Sequence, residues 1–340
     1  MAEYERGEAR AWARENFRGC CGCLLPTFNA AVTAVNEKAI RHDVNLSREL
    51  GISGQLIVSE CGTTLDELKQ VTDIVVDEAG GQLMTVAHAA LPTLEQNIEL
   101  ARYSESAGVD ALLVSYPLTF YPTSEDGIFE YTKALAESTR LAVIVFAMHL
   151  WNFRRFHPSH FSPDLIGRLI DDVSNVAAVK TEIGGGIGVS GIAQIFERYR
   201  DAVIITDPIE ANAPAWAAAY GLQWIGTSNY EAFAGEVPRY FELLRNGRFE
   251  DAMEVYWRIH PIREADADVI NEASRGTHLV HRLCWKYQGW LNGFNGGPIR
   301  SPHMRLADRQ MKRMREGLAA SGLPVTESED WEFFVGRNPE

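Results

Sequence analysis

Between about Gly19 and Arg245, short apolar runs alternate with amphipathic stretches long enough to be helices. The runs cover 20–26, 54–59, 82–89, 110–117, 141–148, 175–180, 202–207 and 222–228, and several are rich in Val and Ile. Apolar runs of this length, without an in–out alternation, predict strands buried on both faces, as in a parallel sheet covered by helices. The stretch from Thr93 to Gly108 shows why the intervening segments read as helices. Its Thr-x-x-Gln start supplies an N-terminal cap, and a glycine closes the far end. Eight such strands alternating with helices predict an α/β fold, a (β/α)8 TIM barrel. The competing arrangement is a doubly wound open sheet, which wants G-x-G-x-x-G after its first strand. That motif is absent there. Gly184-Gly185-Gly186-Ile187-Gly188 is glycine-rich but follows the sixth strand, so it is a weak dinucleotide signal.

After Arg245 the pattern turns helical, with helices expected over Phe249–Asp268, roughly Glu272–Leu291, and Met304–Ser321. The expected organisation is an N-terminal segment (1–18), the barrel (19–245), a C-terminal helical extension (246–322) and a tail (323–340). Neither the first 18 residues nor the tail carries a clear element. Charge narrows the partners. With 32 basic and 46 acidic residues the formal net charge is -14, which disfavours nucleic acid and anionic membranes. No apolar run approaches the ~18 residues of a membrane span. The first residues are charged and lack the apolar core of a signal peptide, so a cytoplasmic location is expected. Cys20, Cys21 and Cys23 crowd the first strand, with Cys61 and Cys284 elsewhere. They read as small apolar residues of a buried strand, in preference to a redox pair or a metal site. Neither a metal nor an organic cofactor is expected.

In a (β/α)8 barrel the chemistry sits at the C-terminal ends of the strands. The candidates there are Thr27, Ser59, Glu60, His88, Tyr116, Phe146, Lys180, Asp207, Thr227 and Ser228. Lys180 differs from the other five lysines because it alone ends an apolar strand, NVAAVK. A desolvated lysine loses its proton more readily, and the free amine can attack a carbonyl to form a Schiff base. The protonated imine then draws electrons from a neighbouring C–C bond. The alternative is a structural ion pair of Lys180 with Glu182 or Asp207.

VSNVAAVKTEIG resembles the Schiff-base lysine segment of the dihydrodipicolinate synthase / N-acetylneuraminate lyase superfamily, N-x-x-G-I-K-E-x-x-G. LLPTF resembles its first-strand T-P-F, and SAGVDALLVSYP its fourth-strand segment. GLQWIGTSNYEAF is similar to the eighth-strand G-x-x-G-x-x-S/T segment, and GWLNGFNGGPIRSPH to the C-terminal G-x-x-R-x-P. The resemblance spans about 18–322. It implies a barrel that works as a class I aldolase with Lys180 as nucleophile, and an oligomer, dimer or tetramer.

Several family residues are replaced. The fifth-strand tyrosine that relays protons to the imine is Phe146, which has no hydroxyl. The tyrosine-bearing P-Y-Y after the fourth strand reads Pro117-Leu118-Thr119. The G-T-T-G-E that holds a substrate carboxylate aligns without a gap on Ser59-Glu60-Cys61-Gly62, or with a gap on Gly62-Thr63-Thr64. The ungapped version puts Glu60 where a substrate carboxylate binds, and like charges repel. Within the superfamily, FAMHLWNFRRFHP and SECGTTL are most similar to segments of the trans-o-hydroxybenzylidenepyruvate hydratase-aldolases. The resemblance implies a substrate pocket drawn from Ser59, Glu60, Thr63, Thr64, His88, Met148, Trp151, Thr227 and Ser228. Phe120, Phe153, Tyr116 and Trp224 are further apolar candidates, or else residues facing the helices. His149, Tyr116 and Glu60 are the candidates to replace the missing relay. Arg154 and Arg155 are candidate carboxylate ligands or plain surface charges. The expected function is Schiff-base carbon–carbon lysis of a hydrophobic or aromatic oxo acid, a small-molecule substrate. The alternatives are a dihydrodipicolinate-synthase-like synthase or sugar-acid dehydratase, and a catalytically altered barrel that only binds.

Overall fold

The computed structural model describes residues 4–183, 187–271, 277 and 279–340. The glycine run Gly184–Gly186 and the start of the helix expected from Glu272 lie outside the described residues. In chain order the elements are α1 (Ala9–Asn16), β1 (Gly19–Leu24), α2 (Glu37–Glu49), β2 (Gly54–Ile57), α3 (Leu65–Ala79) and β3 (Met84–Ala89). Next come α4 (Leu94–Ala107), β4 (Ala111–Val114), α5 (Glu125–Glu137), β5 (Ala142–Met148), α6 (Pro163–Asp172) and β6 (Val176–Glu182). Then follow α7 (Gly188–Tyr199), β7 (Ile204–Thr206), α8 (Ala213–Tyr220), β8 (Trp224–Gly226) and α9 (Glu236–Arg245). The rest is helical: α10 (Phe249–Arg258), α11 (His260–Asp266), α12 (Arg282–Leu291), α13 (Asp308–Ala320) and α14 (Glu332–Val335). Each apolar run of the sequence holds one strand. The sheet has eight strands in the order β7-β6-β5-β4-β3-β2-β1-β8, and Thr206 Oγ1 donates to Trp224 O at 2.9 Å, joining β7 to β8. This is a (β/α)8 TIM barrel with C-terminal helices, as the alternation predicts.

The chain divides into two compact units. The first joins Met1–Gly19 to Met84–Gly226 and holds β3 to β8. Its parallel ladders fix which residues share a face. His88 pairs with Leu113, Leu113 with Ile144, Phe146 with Lys180, and Lys180 with Thr206. With side chains alternating along each strand, all of these lie on one face. A register shift at Val143/Ile144 separates this working end of β5 from its start. The N-terminal segment, for which the sequence suggests no element, contains α1. Its Arg10 donates from Nε to Val176 O (2.9 Å) and from Nη2 to Val173 O (3.1 Å) and Ile170 O. The Tyr4 hydroxyl donates to Asp110 O (2.7 Å) and accepts from the Ala142 N–H (2.5 Å). Tyr4, Trp12, Phe17 and Trp224 follow one another in ring contact. Eight helical residues are too few for a periodicity to stand out, so this helix is set by its tertiary bonds.

The second unit joins Cys20–Leu83 to Thr227–Glu340. In it β1 and β2 pair in parallel, Cys21 beside Gly54. The single helix expected over Phe249–Asp268 is two, α10 and α11, with Pro261 in the first turn of the second. Proline has no N–H to continue the ladder, which explains the break. The tail is ordered on α12: Phe333 is fully buried against Tyr287 and Trp290, and Tyr287 Oη donates to Asp330 at 2.6 Å. All five cysteines are buried thiols, and none is in a disulfide. Among the described residues no helix is long and apolar enough to cross a membrane, and no cluster of three His, Cys, Asp or Glu could hold a metal.

Candidate active site

Lys180 lies near the C-terminal end of β6, buried to 4% exposure. Its Nζ stands 3.9 Å from the ring centroid of Phe146, its ladder neighbour on β5. The indole of Trp151 meets the Phe146 ring edge-on at 5.7 Å, and its Nε1 donates to Phe146 O at 3.0 Å. Met148, also buried, is paired with Glu182 two residues further along the same two strands. The amine therefore rests on an aromatic face inside an apolar collar made by the end of β5 and the turn after it.

Polar groups border this collar. His149 opens that turn, and its Nδ1 lies 3.0 Å from Glu182 O, two residues beyond Lys180. A carbonyl only accepts, so Nδ1 carries the proton and Nε2 is the acceptor of the neutral ring. His88 shares the face of Lys180 and pairs through Nε2 with the Ser115 hydroxyl at 2.9 Å. Asp207, at the end of β7, takes bonds from Ile209 N–H (3.0 Å), Asn212 (2.8 Å) and Trp216 Nε1 (2.8 Å). Burial pushes its carboxyl up to about 6. These bonds tie Asp207 to the start of α8.

The remaining candidates of this unit sort differently. The Tyr116 ring packs among Phe120, Tyr131, Phe153 and Phe161 and also meets the back of the collar at Trp151, edge-on at 5.8 Å. Its hydroxyl is 2.6 Å from Thr132 Oγ1 on α5. Thr132 donates its own proton to Ile128 O (2.7 Å), so Tyr116 is the donor of the pair. Phe120 and Phe153 thus belong to the helix-side cluster, and Trp224 belongs with Phe17 and α1. Arg155 is held by Asn152 O (2.7 Å) and Pro122 O and stacked on Tyr121 and Phe156. His160 had no sequence signal. It is buried to 6% exposure, has a left-handed backbone (φ 66°), and its Nδ1 has no hydrogen-bond partner among the described residues. Burial, with His149 and Arg154 nearby, pushes it down to about 4, so it is neutral at neutral pH. Such strain in a buried non-glycine residue is common at working sites.

The second unit carries the 59–64 loop. Glu60 is ion-paired to Arg282 on α12, whose guanidinium also lies 4.5 Å from the Trp285 ring centroid. Glu60 is therefore no isolated negative charge. Thr64 caps α3, accepting from Glu67 N–H (3.2 Å) in a reciprocal capping box. Thr63 Oγ1 donates to Ser59 O at 3.3 Å. Gly62 has φ 74°, and a Cβ there would come within 2.2 Å of Ser301 O, so this turn admits only glycine. Ser59 and Thr227 are buried, and Ser228 N–H donates to Cys21 O at 3.4 Å. Removing the Glu60 carboxylate leaves a guanidinium whose side chain is 10% exposed. Glu60→Thr is expected to cost about 1–3 kcal/mol in urea unfolding, less than for a fully buried pair because Glu60 is one-third exposed. Wild-type stability in that variant would show that the pair contributes nothing.

The family model for the dihydrodipicolinate synthetase family matches residues 16–315. The chain belongs to the dihydrodipicolinate synthetase family. As a member it is an enzyme of the class I, Schiff-base-forming aldolase and lyase type. Among curated relatives, it is 27% identical to the 4-hydroxy-tetrahydrodipicolinate synthase of Methanothrix thermoacetophila, over 89% of this chain and 96% of that one. Identity is also 27% to the synthase of the same name from Methanocaldococcus jannaschii, over 90% of this chain and 99% of that one. Among solved structures, dihydrodipicolinate synthase from Aquifex aeolicus superposes with TM-score 0.76 at 18% identity, covering 92% of this chain and 100% of that one. The N-acetylneuraminate lyase of Fusobacterium nucleatum superposes with TM-score 0.72 at 18% identity, covering 89% and 98%. What these structures share with the family member in hand is the barrel; the Phe146–Met148–Trp151 collar is built from this chain's own residues.

Proposed function

We propose that this enzyme breaks and forms a carbon–carbon bond through an imine on Lys180, with a 2-oxo acid bearing an apolar, aryl-type chain. The observation that carries the reading is the Lys180 amine lying 3.9 Å from the Phe146 ring centroid. The neutral amine adds to the C2 carbonyl of the oxo acid, and loss of water gives the protonated imine. Water adds across the C3=C4 double bond conjugated to the imine, placing a hydroxyl on C4 and a proton on C3. Loss of the C4 hydroxyl proton then releases the aldehyde as the C3–C4 bond breaks, and the electron pair of that bond forms C2=C3 as the imine π pair moves to nitrogen, leaving an enamine. A proton returned to the enamine carbon, followed by hydrolysis, frees the shortened oxo acid and the lysine. The face of Phe146 attracts the positive charge of the iminium and, unlike tyrosine, adds no hydroxyl to the site. Met148 and Trp151 suit an apolar substituent better than a polyhydroxylated chain. Together with the likeness of FAMHLWNFRRFHP and SECGTTL, they favour hydratase-aldolase chemistry on a benzylidenepyruvate-type substrate.

A second reading, a synthase like the curated relatives, rests on near full-length likeness to two enzymes named 4-hydroxy-tetrahydrodipicolinate synthase. Supplying a benzylidenepyruvate-type substrate and measuring released aromatic aldehyde and pyruvate separates the two. Aldehyde and pyruvate in equal amounts are the expected result. No aldehyde release, from a protein that instead makes 4-hydroxy-tetrahydrodipicolinate, would establish the second reading and end the first.

A further inference from the structure

The second unit contains a cavity of about 30 Å³ whose lining includes Glu231, Gln55, Asp43, Ser47, Asn229 and Lys286. We propose that it binds one small monovalent cation, of potassium or ammonium size, between the Glu231 carboxylate and the Gln55 side-chain carbonyl.

Both oxygens are spare. Glu231 Oε1 accepts from the Cys23 N–H and from Gln55 Nε2, each at 2.9 Å. Gln55 Nε2 also donates to Ser47 Oγ (2.7 Å), which fixes the orientation of the amide. What remains is Glu231 Oε2 and Gln55 Oε1, both buried and both without a partner among the described residues. Glu231 is 5% exposed and Gln55 1%. Two unsatisfied acceptors on residues that line one cavity call for a donor or a cation, because a buried carboxylate oxygen left bare is costly. The cavity has room for a single water-sized occupant.

Charge favours a cation over water. Among the described residues, Lys286 is the only cationic one lining the cavity. Its ammonium is already committed to Leu25 O (3.3 Å), Pro26 O (3.0 Å) and Thr27 Oγ1 (2.6 Å). The nearby positive groups, Lys286, His42 and Arg337, act on Asp43. Glu231 has Asp43 as its charged neighbour, and burial together with that like charge pushes its carboxyl up to about 7. Its Oε1 lies against the Gly22 backbone, where a Cβ would come within 2.2 Å, so only glycine leaves room for the carboxylate there. A monovalent cation satisfies both oxygens and neutralises the charge that water would leave. Oxygen donors of this kind suit a hard cation.

The test compares thermal unfolding of the full chain in potassium chloride, ammonium chloride and choline chloride at equal ionic strength. Potassium or ammonium is expected to raise Tm by at least ~2 °C over choline, since a ligand held only by the folded state stabilises it. The gain should grow above about pH 7 and fade below it, because a proton on Glu231 competes with the cation. Asp43 on α2, Lys286 on α12 and Cys23 on β1 face the same space, so the Glu231→Gln variant assigns the effect. Its Tm should be the same in all three salts. Equal Tm of the wild type in potassium, ammonium and choline overturns the proposal, and so does a cation effect that survives in Glu231→Gln. If that variant does not fold, wild-type crystals soaked in rubidium chloride decide. Anomalous density between Glu231 Oε2 and Gln55 Oε1 supports the site, and its absence refutes it.

Discussion

Lys180→Ala is expected to lose the covalent adduct that borohydride traps with a 2-oxo acid, and to lose turnover by at least ~10³-fold, as removal of a nucleophile does. Lys180→Arg should be no better, because a guanidinium stays protonated and cannot attack a carbonyl. The informative control is the other buried lysine. Burial pushes Lys286 down to about 8, so titration alone would make it a candidate nucleophile. Its three acceptors argue otherwise: the lone pair is not available while Leu25 O, Pro26 O and Thr27 Oγ1 hold the ammonium. Peptide mapping by mass should therefore place the adduct on Lys180. An adduct that persists in Lys180→Ala, or maps to Lys286, removes Lys180 from the mechanism.

His149→Ala is expected to lower kcat by about 10²-fold while still trapping the imine, the pattern of a lost proton carrier. Phe146 cannot move a proton, and the Tyr116 hydroxyl is engaged with Thr132 in the helix layer. In the unit that holds Lys180, the Nδ1–H of His149 is fixed by Glu182 O, which turns Nε2 toward the acceptor role. Tyr116→Phe should stay within ~3-fold of wild type in kcat, losing only one hydrogen bond of about 1 kcal/mol. The decisive contrast is the two variants side by side. If Tyr116→Phe falls and His149→Ala does not, the proton passes through the helix layer and the assignment is reversed. If neither falls, water or the substrate carries it.

How far the chain could be read in advance depends on whether a feature is local. The strands were legible because each is apolar on both faces and so stands out as a continuous run. Lys180 was legible because a lone cation ends one such run. The direction of Tyr116 was not, since an apolar stretch through 110–117 does not say where the strand stops, and β4 ends at Val114. The Glu60–Arg282 pair joins residues 222 apart in sequence, and no spacing rule reports that. The spare acceptors of Glu231 and Gln55 exist only once α2, β2 and the turn after β8 are brought together. His160 was hidden for another reason: its signal is a backbone angle, and histidine is not a residue that advertises a left-handed turn. The break at Pro261 was legible in principle, and the helical periodicity on either side masked it.

The bonds of α1 bear on how the chain is made. Tyr4 reaches Asp110, Arg10 reaches Val176, and Arg14 reaches Asp201, across 106, 166 and 187 residues. A ribosome adding ~5–20 residues per second needs roughly 10–40 s to deliver the last of these partners after the first has emerged. Through that interval the segment must remain in water unpaired and uncommitted. Its make-up suits the wait: Arg6, Arg10, Arg14 and Arg18 are interspersed with Glu5, Glu8 and Glu15, so no apolar stretch is offered to a passing chain. The α1 segment is thus made well before the strands it bonds to, and it closes the strand starts only after the strands exist.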